Sequence, residues 1–177
     1  MGFFGRITGK ASALSKDDVN ALKEQYGSVI ALTRECEMVM AQAGKAIPLS
    51  EQLVNDLLEY VIYLCSADGK VMPAEVEAIN SIFGSTLSQA ECERIGKEIE
   101  AMGESWQTRV PPSFAVLYEY IKATRTELLE APKLGLALVD FYRTVGIAIA
   151  HSDCRPDDKE LQAIKAYCDM LTERLKK

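Results

Sequence analysis

Apolar residues recur every three or four positions along most of the chain, which is the spacing of one face of an α-helix. A capping-box pattern at Ser15 and Asp18 precedes the first such segment, so the sequence predicts a helix from about 16 to 42. No segment combines strict apolar–polar alternation with hairpin turns. The pattern therefore predicts an all-α fold, a compact bundle of about seven helices.

Caps and helix breakers place the next three helices. Ser50 can cap a second helix that stops near Ala67, and Pro73 suits the first position of a third. Ser88 and Glu91 repeat the capping-box pattern for a fourth helix. All three segments carry apolar residues at helical spacing, so each is expected to bury one face.

Three further helices are predicted in the second half of the chain. The stretch WQTRVPPS, residues 106–113, is expected to be a connector, because its prolines restrict the backbone and each removes a hydrogen-bond donor. A fifth helix follows it through Leu128 and Leu129, a sixth starts around Pro132, and a seventh opens at Pro156. The sixth is apolar nearly all round, which is typical of a helix surrounded by others.

Length and charge limit the class of protein. The chain has 177 residues, 48% of them hydrophobic and 26% charged, with a formal net charge of −6. We assign residues 16–177 to a single domain and residues 1–15 to a flexible N-terminal segment. The acidic balance disfavours nucleic acid, since phosphate binding depends on clustered Lys and Arg. No apolar run reaches the roughly 20 residues that span a bilayer, so no transmembrane segment is expected. A weak peripheral membrane contact through the N-terminus stays open.

Cysteines and aromatic residues are predicted to be structural. The cysteines are odd in number and lack CxxC spacing, so we expect reduced, mostly buried thiols in a cytoplasmic protein: Cys36, Cys65, Cys92, Cys154 and Cys168. Five aromatic residues are spaced as helix-packing residues and are expected in the core: Trp106, Tyr118, Tyr120, Phe141 and Tyr142.

An internal repeat carries the main candidate chemistry. A shift of 85 residues places VIYLCSADGKVMPAEVEAINSIF over GIAIAHSDCRPDDKELQAIKAYC. Each copy predicts a buried helix, a short loop opened by aspartate, and a second helix with glutamate in its first turns. Asp68 and Glu75 of the first copy fall on Asp153 and Glu160 of the second.

The first loop is not an ordinary EF-hand, which needs oxygen ligands at its first, third and fifth positions and glycine at the sixth. Aligned on Gly69, the first position is Leu64, which has no oxygen to offer. The repeated acids could still supply hard oxygen ligands to one divalent cation, provided that the two loops face each other. Alternatively, each aspartate accepts backbone N–H bonds in its own loop, and each glutamate favours a helix start.

The segments CSADGKVMPAEVEAI and AHSDCRPDDKELQAIKAYCDML resemble the TerB-like family. This is the all-helical domain of tellurite-resistance proteins, which also forms the N-terminal region of DjlA-type membrane co-chaperones. The resemblance covers residues 16–177, although Cys154 and Arg155 stand where the first loop has Gly69 and Lys70. It implies two related helical halves and a stress-response or scaffold protein rather than a known reaction. It also implies that loop acids bind metal cations, here Asp68, Glu75, Asp153 and Glu160.

Two more specific sites around His151 have less support from the sequence. His151, Asp153 and Cys154 could hold a transition metal, and Cys154 with His151 could form a nucleophile and base. The chain has a single histidine, no Gly-rich phosphate loop and no Gly-x-Ser-x-Gly elbow. A half-buried histidine at a helix end is therefore favoured.

The sequence thus predicts a non-catalytic interaction module that binds a divalent cation, Ca²⁺ or Mg²⁺, and a protein partner. One alternative is a metal-independent helical scaffold or co-chaperone-type adaptor that docks its partner through an acidic surface. The candidate acids of that surface are Glu98, Glu100, Glu104, Glu127 and Glu130. The other alternative is a metal-dependent enzyme, which would need a pocket and an open coordination position.

Overall fold

The computed structural model describes residues 14–124, 130–153 and 156–176. Within these ranges all regular secondary structure is helical, which confirms the predicted all-α bundle of about seven helices. None of the described helices is long and apolar enough to cross a bilayer. Seven longer helices and one short one follow each other along the chain: α1 (Lys16–Gln42), α2 (Leu49–Cys65), α3 (Pro73–Phe83), α4 (Gln89–Met102), α5 (Glu104–Gln107), α6 (Pro112–Thr124), α7 (Glu130–Ala150) and α8 (Asp158–Leu175).

Two capping boxes and one proline set the starts of three helices, as the sequence predicts. Ser15 Oγ accepts a bond from the Asp18 N–H at 3.1 Å, and the Asp18 carboxylate accepts the Ser15 N–H in return. Ser88 and Glu91 make the same reciprocal pair at the start of α4. Pro73 is the first residue of α3, where its missing N–H costs nothing.

The predicted cap of α2 is wrong. The helix begins at Leu49, and Ser50 lies inside its first turn. The N–H and hydroxyl of Ser50 donate to the Glu37 carboxylate of α1 at 2.6 and 2.9 Å. A side chain from a neighbouring helix thus satisfies an N-terminal donor that a local cap would otherwise take.

The predicted connector between α4 and α6 is wrong in part, because both of its ends are helical. Trp106 lies in α5, where it is buried and its Nε1 donates to the Glu59 carboxylate at 3.1 Å. Pro112 opens α6. The Ser113 N–H and hydroxyl then donate to the buried Asp56 carboxylate of α2 at 3.0 and 2.5 Å. Contacts with α2 therefore fix the conformation of this segment.

The last two helices differ from their predicted starts by two residues. α7 begins two residues before Pro132, and Pro156 precedes α8, whose N-cap is Asp157. Leu128 and Leu129 lie outside the described residues, as do residues 1–13. The assignment of residues 1–15 to a flexible segment therefore stays a prediction.

The aromatic centre of the core lies between α2, α7 and α8. Tyr60 of α2 packs edge-on against Tyr142 of α7, with ring centroids 5.3 Å apart, and stacks on Tyr167 of α8 at 4.5 Å. The core prediction is confirmed for all five aromatic residues named from the sequence: Trp106, Tyr118, Tyr120, Phe141 and Tyr142. Cys36, Cys65, Cys92 and Cys168 are buried free thiols, and Cys154 lies outside the described residues.

A glycine permits the close approach of these three helices. A Cβ atom added at Gly146 of α7 would lie 2.6 Å from the Tyr60 hydroxyl and 3.0 Å from side-chain carbons of Leu64 and Ile164. The Tyr60 hydroxyl is held in place, because it donates to the Tyr142 carbonyl at 3.2 Å. A methyl group at position 146 would therefore meet atoms of both neighbouring helices that cannot move freely.

We expect Gly146→Ala to lower the free energy of unfolding by about 1–3 kcal/mol, the usual cost of overpacking a core. Gly27→Ala in α1 is the matched control, because a Cβ there meets nothing within 4 Å. That control should stabilise the protein by about 0.4–1 kcal/mol, as alanine restricts the unfolded chain. Urea unfolding of both variants tests this, and equal effects of the two substitutions would contradict the packing argument.

Candidate functional site

The first acidic loop joins α2 to α3 and is organised by its own backbone. Asp68 is exposed, and its Oδ1 accepts the Lys70 N–H at 2.8 Å. Gly69 has a φ of 90°, which residues with a side chain rarely adopt. Val71 is buried and fixes the end of the loop to the core. The Asp-Gly pair therefore shapes a tight turn, as the structural alternative predicts.

The side chain of Glu75, in the first turn of α3, points back toward the start of that helix. Its carboxylate accepts the Met72 N–H at 2.7 Å, which satisfies a backbone donor at the helix start. The side chain is only 2% exposed. A carboxyl group this deeply buried is unusual unless something compensates for its lost hydration.

The second loop repeats this arrangement between α7 and α8. The Glu160 carboxylate accepts the Asp157 N–H at 3.0 Å, and Glu160 is 5% exposed. Asp157 caps the helix by accepting the Lys159 N–H at 2.7 Å. Asp153, the counterpart of Asp68, is half-buried. The predicted pairing of two helix–loop–helix units thus extends to their hydrogen bonds.

The two units meet at their glutamates. The carboxyl groups of Glu75 and Glu160 lie close enough to share a hydrogen bond. Asp153 lies within electrostatic range of both glutamates, and Asp68 acts on Glu160. The structure therefore brings the two glutamates together and leaves the two aspartates in the same neighbourhood, and we call the four residues the acidic cluster.

Burial and mutual repulsion keep one proton in this cluster. Burial raises the pKa of Glu75 to about 8, the Met72 N–H opposes the shift, and the charges of Glu160 and Asp153 add to it. Burial also raises the pKa of Glu160, whereas its bond to Glu75 lowers it. The two carboxyl groups therefore share a proton at neutral pH, because a buried pair this close cannot lose both protons.

Two thiols complete the surroundings and were not foreseen as part of the site. Cys65, the last residue of α2, is hydrogen-bonded to Glu75, and burial followed by the Glu75 charge raises its pKa well above the ordinary value. Cys92 of α4 is also buried near Glu75, and burial raises its pKa. Both are therefore neutral thiols at pH 7. Their apolar spacing predicted burial but not which side chain they would face.

The remaining sequence candidates are a histidine site and an acidic surface. His151 is half-buried directly after α7, as expected for a histidine at a helix end. Its proposed partner Cys154 lies outside the described residues. Glu98, Glu100 and Glu104 are exposed, and Glu98 pairs with Arg94 of the same helix. The side chains of Glu127 and Glu130 lie outside the described residues.

The acidic cluster offers only oxygen ligands from its carboxylates, a donor set that suits Ca²⁺ or Mg²⁺. As the described side chains stand, however, no three His, Cys, Asp or Glu residues are grouped to hold a metal ion. The raised pKa of Glu75 favours its protonated form at neutral pH, and the Asp68 carboxylate is turned toward its own loop. A cation would have to displace that proton and reorient the aspartates.

Comparison of the chain with protein-family models, with curated proteins and with solved structures gives no match. The TerB-like resemblance therefore rests on the repeated sequence pattern.

We expect the free energy of unfolding to fall as the pH rises from about 5 to 8. The folded-state pKa of Glu75, about 8, is above the ordinary value of 4.5, so the folded protein holds a proton that the unfolded chain has lost. This difference gives a slope of at most about 1.4 kcal/mol per pH unit, which should level off above pH 8. Urea unfolding at half-unit pH steps would measure it.

Glu75→Gln is the matched variant for this pH dependence. A glutamine amide can still accept the Met72 N–H and donate to Glu160, yet it does not titrate. The slope between pH 5 and 8 should therefore become shallower, and at pH 8 the variant should be at least as stable as the parent protein. A slope that glutamine leaves unchanged would assign the pH dependence to another group.

Proposed function

We propose that the protein is a non-catalytic interaction module of the TerB-like type, with the acidic cluster as the element that responds to a ligand. The observation that supports this is the contact between Glu75 and Glu160 of the two repeated units, with the charges of Asp68 and Asp153 in electrostatic range. A ligand that neutralises the acidic cluster acts on both halves at once. The arrangement of the helix pairs, and the surface they present to a protein partner, would change with it.

A divalent cation is the ligand that we propose, Ca²⁺ or Mg²⁺ by the chemistry of the carboxylates. Burial and the neighbouring carboxylates raise the pKa of Glu75, so the fully ionised cluster would carry more negative charge than its surroundings stabilise. A cation would relieve that repulsion. The two glutamates would bridge α3 and α8, while the more accessible aspartates would complete the ligand set from the loops.

The same proposal places the protein in the cytoplasm, in a stress-response role. The four described cysteines are free thiols, which fits a reducing compartment. The resemblance to tellurite-resistance domains supplies the stress-response part.

Metal titration of the chelator-treated protein tests the cation. At a concentration 100 times the dissociation constant, binding to the folded state adds about 2.7 kcal/mol. For a chain of this size, that raises the melting temperature by about 5–10 °C. The rise should be saturable and should be largest for Ca²⁺ or Mg²⁺ among Ca²⁺, Mg²⁺, Mn²⁺ and Zn²⁺.

The double variant Asp68→Asn, Asp153→Asn should lose this rise, because neutral amides are weaker ligands for hard cations. Asp17→Asn with Asp169→Asn is the control, since both aspartates are exposed and lie outside the acidic cluster. A metal-induced rise that the first pair retains, or that the control pair also loses, would count against the proposed ligands.

A metal-independent adaptor is the second candidate, and the capping bonds of the acidic cluster favour it. Both glutamates accept a backbone N–H, and the raised pKa of Glu75 allows the pair to share a proton. In that case the acidic cluster only holds the two helix–loop–helix units together. The partner docks on the exposed acids that include Glu100 and Glu104.

The two candidates differ in how partner capture responds to metal. A cation-responsive module should capture its partner in Ca²⁺ or Mg²⁺ and lose it in chelator. An adaptor should capture the same partner in both, and should lose it when Glu100→Lys and Glu104→Lys reverse the surface charge. Affinity capture with the purified chain, followed by mass spectrometry, separates the two results.

A further inference from the structure

Helices α7 and α8 pack against each other, and the outer face of this pair carries an apolar pocket. The pocket has a volume of about 220 Å³ and opens between the two helices. Its apolar wall comes from Ile147 of α7 and from Leu161 and Ile164 of α8. Leu161 is 38% exposed, so part of this wall is open to water. An apolar side chain that enters the pocket would remove the surface of both from water.

A second exposed leucine lies on the same face, near the start of α7. This residue, Leu136, is 48% exposed. It precedes Ile147 by three turns of helix, so the two side chains share one face and lie about 16 Å apart along it. The face therefore has an exposed apolar side chain at one end and an apolar pocket at the other.

Charged residues lie between the exposed leucine and the pocket. Asp140 pairs with Arg143 on α7, and Asp169 pairs with Lys165 on α8. In each helix the cation lies one turn from the apolar wall of the pocket, and the anion lies a further turn away. Both ion pairs are at the surface, where exchanging one partner for another costs little.

This order of side chains is its own complement under a two-fold rotation. The midpoint between Asp140 and Arg143 is also the midpoint between Leu136 and Ile147. If two copies of α7 pack antiparallel about that point, Leu136 of each copy lies at the pocket of the other. The same rotation places Asp140 of each copy opposite Arg143 of the other. One isologous contact therefore covers the apolar ends and pairs the charges.

We propose that the protein forms a two-fold symmetric homodimer through this α7–α8 face. Leu136 of each copy enters the pocket of the other, and Asp140 lies at the other copy's Arg143. Lys165 and Asp169 of α8 pair across the same axis in the same way. None of these residues belongs to the acidic cluster, so the dimer is expected with or without a divalent cation.

Sedimentation equilibrium of the full chain in chelator tests the dimer. The average mass should rise from that of one chain to that of two between about 1 and 300 µM, the range expected for a small interface. Leu136→Asp should raise the dissociation constant at least about 30-fold, because two leucines lose their burial in each dimer. A chain that stays monomeric over this range would overturn the proposal and leave the face to a different protein.

Met38→Asp is the matched control for the leucine variant. Met38 is 61% exposed on α1, outside the proposed interface, so this substitution should leave the dissociation constant unchanged. Circular dichroism confirms that both variants are folded. Equal dissociation constants in the two variants would contradict the proposed interface.

Charge substitutions test the antiparallel arrangement, and they still decide if Leu136→Asp does not fold. Asp140→Arg alone and Arg143→Asp alone each place like charges opposite each other in a homodimer, so each should raise the dissociation constant at least about tenfold. In an equimolar mixture of these two variants, every substituted side chain meets an opposite charge. A heterodimer should then form about as tightly as the parent dimer. A mixture that associates no better than either variant alone would overturn the proposal.

Discussion

The buried pair of Glu75 and Glu160 constrains how the two halves of the molecule can be arranged. Each carboxyl group caps its own helix, α3 or α8, and each is also in contact with the other. Two ionised carboxylates cannot remain together away from water at an acceptable cost. The pair must hold a proton, bind a cation or separate, so the position of α3 relative to α8 depends on what neutralises it.

Other carboxylates join helices in this bundle by accepting the hydrogen bonds of a serine. Glu37 of α1 accepts both donors of Ser50 at the start of α2, and Asp56 of α2 does the same for Ser113 of α6. Each of these acids accepts N–H and O–H bonds, and at Asp56 those bonds oppose the rise in pKa that burial causes. The bundle thus uses carboxylates from one helix to cap the next. In the acidic cluster, by contrast, the two capping carboxylates face each other.

Because these two carboxyl groups face each other and share a proton, a cation that binds the acidic cluster must displace that proton. The Glu75 carboxyl must lose its proton before it can act as a ligand, so cation binding would release a proton and would strengthen with rising pH. The neutral thiols of Cys65 and Cys92 keep the surroundings weakly polar, which makes the pair more sensitive to its charge state. Protonation and cation binding would therefore compete for the same carboxylates.

The sequence alone determined the local features of this protein. Hydrophobic spacing identified the helices and the aromatic core, and the capping patterns at Ser15 and Ser88 fixed two helix starts, because such signals depend on residues within one turn of each other. The repeat identified the four acids of the candidate site. Only the tertiary structure decided that Glu75 and Glu160 meet and are buried, and that Glu37 rather than Ser50 caps α2. These contacts join residues far apart in the chain, whose separation in space depends on how the whole bundle packs.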